Sequence, residues 1–272
     1  MKEAQIAINS ISTRHTGLEE AVTAYAEAGF PSVEFHLPLV RAYLDAGHTV
    51  ADVRTLLATH GLRAIGGFHL PVMCFGEPEA MAANRRAQVE NATLIHELGS
   101  GTLVVGTDGP STPAPDALEV AASGFRQVLA QVEHLDVTVA LEFNWGPLVK
   151  SLRSAVRVCE IVDHPQMGIL FDPAHYYTTV TKFEDITEET VRWIRHVHLD
   201  DMANKPGDLS NCNSDRVLPG QGVLDLAALI GALESHGYDG FFSIEMFNED
   251  LWRLPARDAA TLCRESLEPY LA

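Results

Sequence analysis

Eight times along its length the sequence passes from a short run rich in β-branched and aromatic residues into a longer amphipathic stretch, at a spacing of roughly 30 to 45 residues. This alternation constrains the fold more than any other feature. The strand-like runs are QIAINSI from Gln5, SVEFHL from Ser32, RAIGGFHL from Arg63, TLVVGT from Thr102, VTVALEF from Val137, MGILFD from Met167, IRHVHLD from Ile194 and FFSIEMF from Phe241. Between them LEEAVTAYAEAG, VADVRTLLATHG, AQVENATLIHELG, SAVRVCEIV and LAALIGALESHG read as helices. In the first of these Leu18, Ala21, Val22, Tyr25 and Ala26 share one face. Glycine closes four of the five, as a helix stop requires. Alternating strand and helix imply parallel strands joined by right-handed crossovers, and eight such units close most economically into a single (β/α)8 barrel over residues 1–272. A doubly wound nucleotide-binding sheet would need a glycine-rich turn after the first strand, where this chain has SISTRHTG.

Length alone allows one domain or two, but no Pro- or Ser-rich linker divides the chain. With 46% hydrophobic and 21% charged residues the composition suits a compact globular protein. The opening MKEAQIAINSIS lacks the apolar stretch of a signal peptide, and no later run is long enough to span a membrane, so a cytoplasmic location is expected. Cys74, Cys159, Cys212 and Cys263 are widely spaced, which suggests neither a disulfide framework nor a thiolate zinc site. A formal net charge of −18 disfavours a nucleic-acid partner, because phosphate backbones are repelled at long range. Inside a pocket a metal and a few local cations overrule that field for a small substrate, and a homo-oligomer is compatible with the sequence.

Active sites of such barrels form at the C-terminal ends of the strands, so polar residues that end apolar runs identify the candidates. The fifth run ends in Glu142, the sixth in Asp172, the seventh in His198 and the eighth in Glu245. Three carboxylates converging on one buried mouth demand a compensating cation. Two glutamates, an aspartate and a histidine suit one divalent metal ion, Mn2+ or Zn2+ first, with Co2+ or Mg2+ also accepted. Three residues beyond Asp172, a turn in FDPAHYY brings His175 back over the pocket. His69 and His36 end equivalent strands and are expected on the pocket wall. His196, two residues before His198, points into the same interior one layer deeper, as a core histidine.

The long segment after the seventh run, DDMANKPGDLSNCNSDRVLPGQGVLDL, is rich in turn formers, which marks it as functional or mobile. Within it Arg216 is the best local cation for a substrate oxygen, with pairing to Asp215 or Asp208 as the structural alternative. Glu249, Asp250 and Trp252 read as a helix start with a packed indole.

At LEF with Glu142, FDPAH with Asp172 and His175, HVHLDD with His198, DRVLPGQGVLDL with Arg216 and GYDGFFSIEMFNEDLW with Glu245, the sequence resembles the xylose isomerase-like, or sugar phosphate isomerase/epimerase, superfamily of barrels. The resemblance covers nearly the whole chain, and its last two segments look most like inosose isomerases and the related 3-dehydroshikimate dehydratases. It implies one metal held by Glu142, Asp172, His198 and Glu245. It further implies that Glu142 and Glu245 face the substrate from opposite sides and move protons, while His175 and Arg216 steady substrate oxygens. The endonuclease IV branch is a poor fit, since VVGTDG ends the fourth run without a ligand histidine. The expected activity is isomerisation or epimerisation of a small polyol or keto-sugar by α-proton abstraction and a metal-stabilised enediolate, with inosose as the specific substrate. Dehydration of 3-dehydroshikimate and a non-catalytic sugar-binding barrel are the alternatives.

Overall fold

A computed structural model describes all 272 residues. Eight parallel strands close on themselves: β1 (Ile6–Asn9), β2 (Ser32–His36), β3 (Arg63–Phe68), β4 (Thr102–Val105), β5 (Thr138–Glu142), β6 (Met167–Phe171), β7 (Ile194–Leu199) and β8 (Phe242–Ile244). Each pairs with the next, and β8 returns to β1 through Ile6, Ala7 and Ile8 opposite Phe242, Ser243 and Ile244. The eight runs expected to be strands are the eight barrel strands. Helices follow the strands and most cover the outside: α1 (Leu18–Glu27), α2 (Leu37–Asp45), α3 (Val50–Thr59), α4 (Pro78–Glu97), α5 (Ala117–Val132), α6 (Leu152–Val162), α7 (Pro173–Thr178), α8 (Glu188–Val191), α9 (Leu226–Ser235), α10 (Glu249–Trp252) and α11 (Ala256–Leu267). None is long and apolar enough to cross a membrane.

Local chemistry explains the helix ends. Gly29, Gly61, Gly99 and Gly237, which follow α1, α3, α4 and α9, all adopt positive φ between 69° and 95°, a region glycine enters without a Cβ clash. The remaining one of the five helices read from the sequence, α6, has no glycine at its end, and Asp163 takes the left-handed position instead at φ 49°. At its other end Ser151 caps α6, its side chain accepting from Ser154 N.

Strand parity divides the interior into two cores. Residues such as Val33, Phe35, Val139, Leu141, Val197 and Leu199 face outward into a cluster of 64 buried residues beneath the helices. Their neighbours in sequence face the barrel axis. On the β3–β6 side that axis is apolar, with Val104, Ala140, Leu170 and Phe68 in contact. On the side of β1, β2, β7 and β8 it carries Asn9, Glu34, His196, His198, Ser243 and Glu245, each at most 3% exposed. Half of the barrel interior is therefore polar. The four cysteines are free and buried.

Two irregularities interrupt the ladders. The register of β2 with β3 shifts between Val33/Ala64 and Glu34/Gly66, leaving Ile65 unpaired. That of β6 with β7 shifts between Ile169/Ile194 and Leu170/His196, leaving Arg195 unpaired. Each is a β-bulge, which changes the face its strand presents.

Candidate metal centre

The C-terminal mouth of the barrel holds a cavity of about 330 Å³ lined by Phe68, Val104, Glu142, Asn144, Trp145, His175, His198, Cys212, Asn213, Arg216, Glu245 and Phe247. At its floor one ligand atom each from Glu142, Asp172, His198 and Glu245 lie within 4.8 Å of one another. The four residues come from the ends of β5, β6, β7 and β8. Around His198 Nδ1 stand Glu245 Oε2 at 3.1 Å, Asp172 Oδ2 at 3.4 Å and Glu142 Oε1 at 3.9 Å.

The FDPAH segment does two jobs. Asp172 is the N-cap of α7 (Pro173–Thr178), its Oδ1 accepting from His175 N at 3.1 Å, and Pro173 occupies the first turn, where a missing N–H costs nothing. That single turn carries His175 back over the mouth, where its Nε2 lies 3.5 Å from Glu142 Oε1.

Arg216 arrives by a different route. Asp201–Met202 and Arg216–Val217 form a two-stranded antiparallel ribbon over the mouth. The Asp201 carboxylate holds the returning strand in place, accepting from Gly220 N, Gly222 N and Leu224 N at 2.9–3.1 Å. Gly222 passes so close that a Cβ there would overlap the Met202 carbonyl and the Asp201 carboxylate. Asp215 pairs with Lys205 at 2.8 Å, leaving Arg216 to turn inward. There it is 1% exposed and faces Asp200 at 2.6 Å, Glu245 at 2.9 Å and Asp172 at 3.1 Å. Glu245 is further held by Asn9, whose Nδ2 donates to Oε1 at 3.1 Å.

One guanidinium cannot neutralise this group. Burial and the charges of Asp172 and Glu245 push the Glu142 carboxyl up to about 8, so without a further cation it keeps its proton near neutrality. Burial and Asp172 likewise raise Asp200 well above the usual carboxylate range, although Arg216 opposes the shift. Burial alone would raise Asp172, but the Arg216 guanidinium overrides it and holds the carboxyl well below its ordinary value. For His198 burial favours the neutral ring, yet Glu245 and Glu34 outweigh it and the ring holds its proton strongly. Burial brings His175 down to about 4, leaving it neutral. A cluster that retains protons on Glu142 and His198 has the charge deficit a divalent ion relieves. Three carboxylates and an imidazole are a donor set such ions accept.

The other sequence candidates lie farther out. His69 borders an adjoining cavity, which shares Phe68, Val104, Glu142 and Asn144 with the main one. His36 is not among the residues lining the main cavity. Its ring packs against that of Phe68, with centroids 4.9 Å apart. His196 occupies the deeper layer, 0% exposed, with Nε2 3.1 Å from Glu34 Oε2. Trp252 is packed as expected, its indole N–H donating to Ile11 O at 2.7 Å.

Sequence reasoning passed over Glu34, Asn9 and Asp200. A signal was present for Glu34: alternation in SVEFHL sets Val33 and Phe35 on one face and Glu34 on the other, which in a barrel is the axis. Asn9, the polar last residue of β1, and Asp200, which ends the seventh strand-like run, carried a mark of the same kind as the four rim residues.

Residues 22–269 match the family model described as Xylose isomerase-like TIM barrel. Among relatives, an inosose isomerase of Bacillus velezensis is 30% identical over 143 residues, 52% of this chain and 50% of that protein. A 3-dehydroshikimate dehydratase of Pseudomonas aeruginosa is 26% identical over 260 residues, 93% of this chain and 39% of that protein. The matched segments thus span half or less of these relatives' lengths. A crystal structure of the IolI protein with a bound zinc atom superposes with a TM-score of 0.88 at 19% identity, covering 97% of both chains. D-psicose 3-epimerase of Clostridium cellulolyticum H10 superposes at 0.79 and 16%, covering 98% of this chain and 99% of its own. At these identities the structural likeness speaks for the fold alone.

Proposed function

Because the chain belongs to the xylose isomerase-like TIM-barrel family, we propose that it is a metal-dependent isomerase or epimerase of a small polyol ketone, with an inosose as the substrate. The observation that carries this reading is the convergence of Glu142, Asp172, His198 and Glu245 on one point at the cavity floor. These four would hold a divalent cation, which when bound polarises a carbonyl and an adjacent hydroxyl and offsets the negative charge that develops on them. Mn2+ or Zn2+ suits the set best, and the zinc of the IolI structure supports that choice.

The side chains divide the remaining work. Moving a ketone to the next carbon, or inverting a carbinol beside it, requires a proton to leave the α-carbon and return. Glu142 borders the cavity, and its oxygens are less committed than those of Glu245, which serve Asn9 and Arg216. We assign Glu142 to take the α-proton while the C–H electron pair moves toward the carbonyl oxygen. Glu245 takes the proton of the adjacent hydroxyl and delivers it to carbon from the other side as the new carbonyl forms, and Glu142 passes its proton to the former carbonyl oxygen, so both carboxylates end as they began. The His175 Nε2 and the Arg216 guanidinium face the cavity and steady the substrate oxygens. Phe68, Val104 and Phe247 line the apolar wall, which suits the C–H faces of a ring.

A second reading is favoured by the length of one match. The dehydratase of Pseudomonas aeruginosa aligns with 93% of this chain, whereas the isomerase of Bacillus velezensis aligns with 52%. Loss of water from 3-dehydroshikimate also begins with α-proton removal and uses the same groups. Incubating the metal-loaded protein in deuterium oxide with inososes, ketohexoses, hydroxypyruvate and 3-dehydroshikimate separates the two. Deuterium entering an inosose without dehydration supports the isomerase, and an aromatic catechol product supports the lyase. If no substrate exchanges and the protein takes up no metal, the site assignment falls.

A further inference from the structure

Beneath the mouth, the polar half of the barrel axis contains a charged cluster that the reaction itself does not use. Glu34, on β2, is 0% exposed. Its Oε1 and Oε2 lie 3.2 and 3.1 Å from His198 Nε2, and Oε2 also lies 3.1 Å from His196 Nε2. A carboxylate in this position accepts an N–H from each imidazole, and it leaves His198 Nδ1 turned toward Asp172, Glu245 and Glu142.

The backbone is shaped around this contact. One β-bulge leaves Ile65 unpaired and sets Gly66 opposite Glu34, where an added Cβ would stand 3.6 Å from the Glu34 Cγ and 3.2 Å from the Thr102 carbonyl oxygen. The other leaves Arg195 unpaired immediately before His196. Both ladder faults therefore border the Glu34–His196 pair, where a bulge re-aims side chains toward the axis. A buried carboxylate is costly unless it is paired and hydrogen-bonded. The fold keeps one at the centre of the barrel and gives it two imidazole partners.

We propose that Glu34, itself clamped by His196, is the positioning residue for His198: it fixes the ring orientation and places the proton on Nε2, so that the Nδ1 lone pair is presented to a divalent cation at the mouth. This rests on the metal-centre reading above and adds to it a residue outside the four ligands. Carboxylates that orient ligand imidazoles typically contribute 10- to 100-fold in metal affinity, about the size expected here.

The experiment compares zinc affinity, by competition with a chromophoric chelator, for the wild type, Glu34→Gln and Ser243→Ala, alongside the histidine tautomers of the zinc-loaded proteins read from long-range 1H–15N spectra. Ser243 is an equally buried neighbour on the axis whose hydroxyl makes no hydrogen bond, so its substitution controls for a general disturbance of the interior. The expected result is a 10- to 100-fold loss of zinc affinity in Glu34→Gln, with loss of the single Nε2–H form of His198, native circular dichroism, and Ser243→Ala indistinguishable from wild type. Wild-type zinc affinity and tautomer in Glu34→Gln would overturn the role of Glu34 while leaving the metal centre intact. An equal loss in Ser243→Ala would overturn it as well, by reducing the effect to packing. A wild type that takes up no zinc, manganese, cobalt or magnesium would instead remove the metal centre and this inference with it.

Discussion

The charge deficit at the mouth predicts an unusual dependence of stability on pH. In the metal-free fold Glu142 holds its proton up to about pH 8, against an ordinary value of 4.5, because burial and the neighbouring carboxylates Asp172 and Glu245 penalise its charge. A group whose pKa is raised on folding stabilises the fold fully below its unfolded value, and that contribution is lost as the pH climbs to the folded value. Metal-free protein should therefore become less stable between pH 6.5 and 8. His198, also raised, acts in the same direction. His175, brought down to about 4 by burial, has the opposite slope, but only below its ordinary value of 6.5, so the chosen interval avoids it. At about 1.4 kcal/mol per pH unit, one proton over this interval amounts to about 2 kcal/mol, and less in proportion as water reaches the carboxyl. For a domain of this size that is a fall in Tm of about 4–8 °C. Differential scanning calorimetry of chelator-treated protein reads it directly. Glu142→Gln should lose at least half of the slope, and saturating Zn2+ or Mn2+, which takes the place of the retained protons, should flatten it. A metal-free Tm that is constant or rises between pH 6.5 and 8, or a Gln variant with the full wild-type slope, would refute the reasoning.

Chelation should abolish turnover of the polyol ketone, and adding back Mn2+, Zn2+, Co2+ or Mg2+ in parallel assays should restore it to different extents that rank the metals. Arg216→Met leaves Asp172, Asp200 and Glu245 buried without their shared guanidinium; urea unfolding should show a loss of about 3–5 kcal/mol. Gly222→Ala drives a Cβ into the Met202 carbonyl and the Asp201 carboxylate, so the ribbon that delivers Arg216 should shift. A rise in KM of several-fold and a loss of about 1–3 kcal/mol by thermal unfolding are expected, and a variant with wild-type KM would show the ribbon to be dispensable. Glu245→Gln should lower kcat by at least 100-fold, the size expected of a proton-transferring carboxylate, and stopped-assay kinetics would reveal a smaller role.

The parts of this protein legible in the sequence are those written in local periodicity. The eight runs and their helices were readable because inward and outward positions alternate along a strand, and because glycines at 29, 61, 99 and 237 stand where helices must stop. Glu142, Asp172, His198 and Glu245 were readable for a related reason: a polar residue that ends an apolar strand is conspicuous, and in a barrel all such ends lie on one rim. His175 followed from the Asp-Pro start of a single helical turn.

Arg216 was visible as a cation, but its partners were not. Asp208 and Asp215 were nearer in the chain, yet the ribbon closed by Asp201 turns the guanidinium inward to Asp172, Asp200 and Glu245, and only backbone closure over the mouth makes those contacts. Glu34 is the sharper case. It lies 164 residues from His198 in the chain, and no local pattern links the two. Their contact exists because closing the barrel brings β2 and β7 across one narrow axis, and because two bulges set the inward faces at that depth. Periodicity along the chain determined the barrel and the ring of carboxylates and histidine at its rim. Closure of the sheet decided which charges meet beneath that rim, since pairing through the axis depends on distances that sequence separation does not encode.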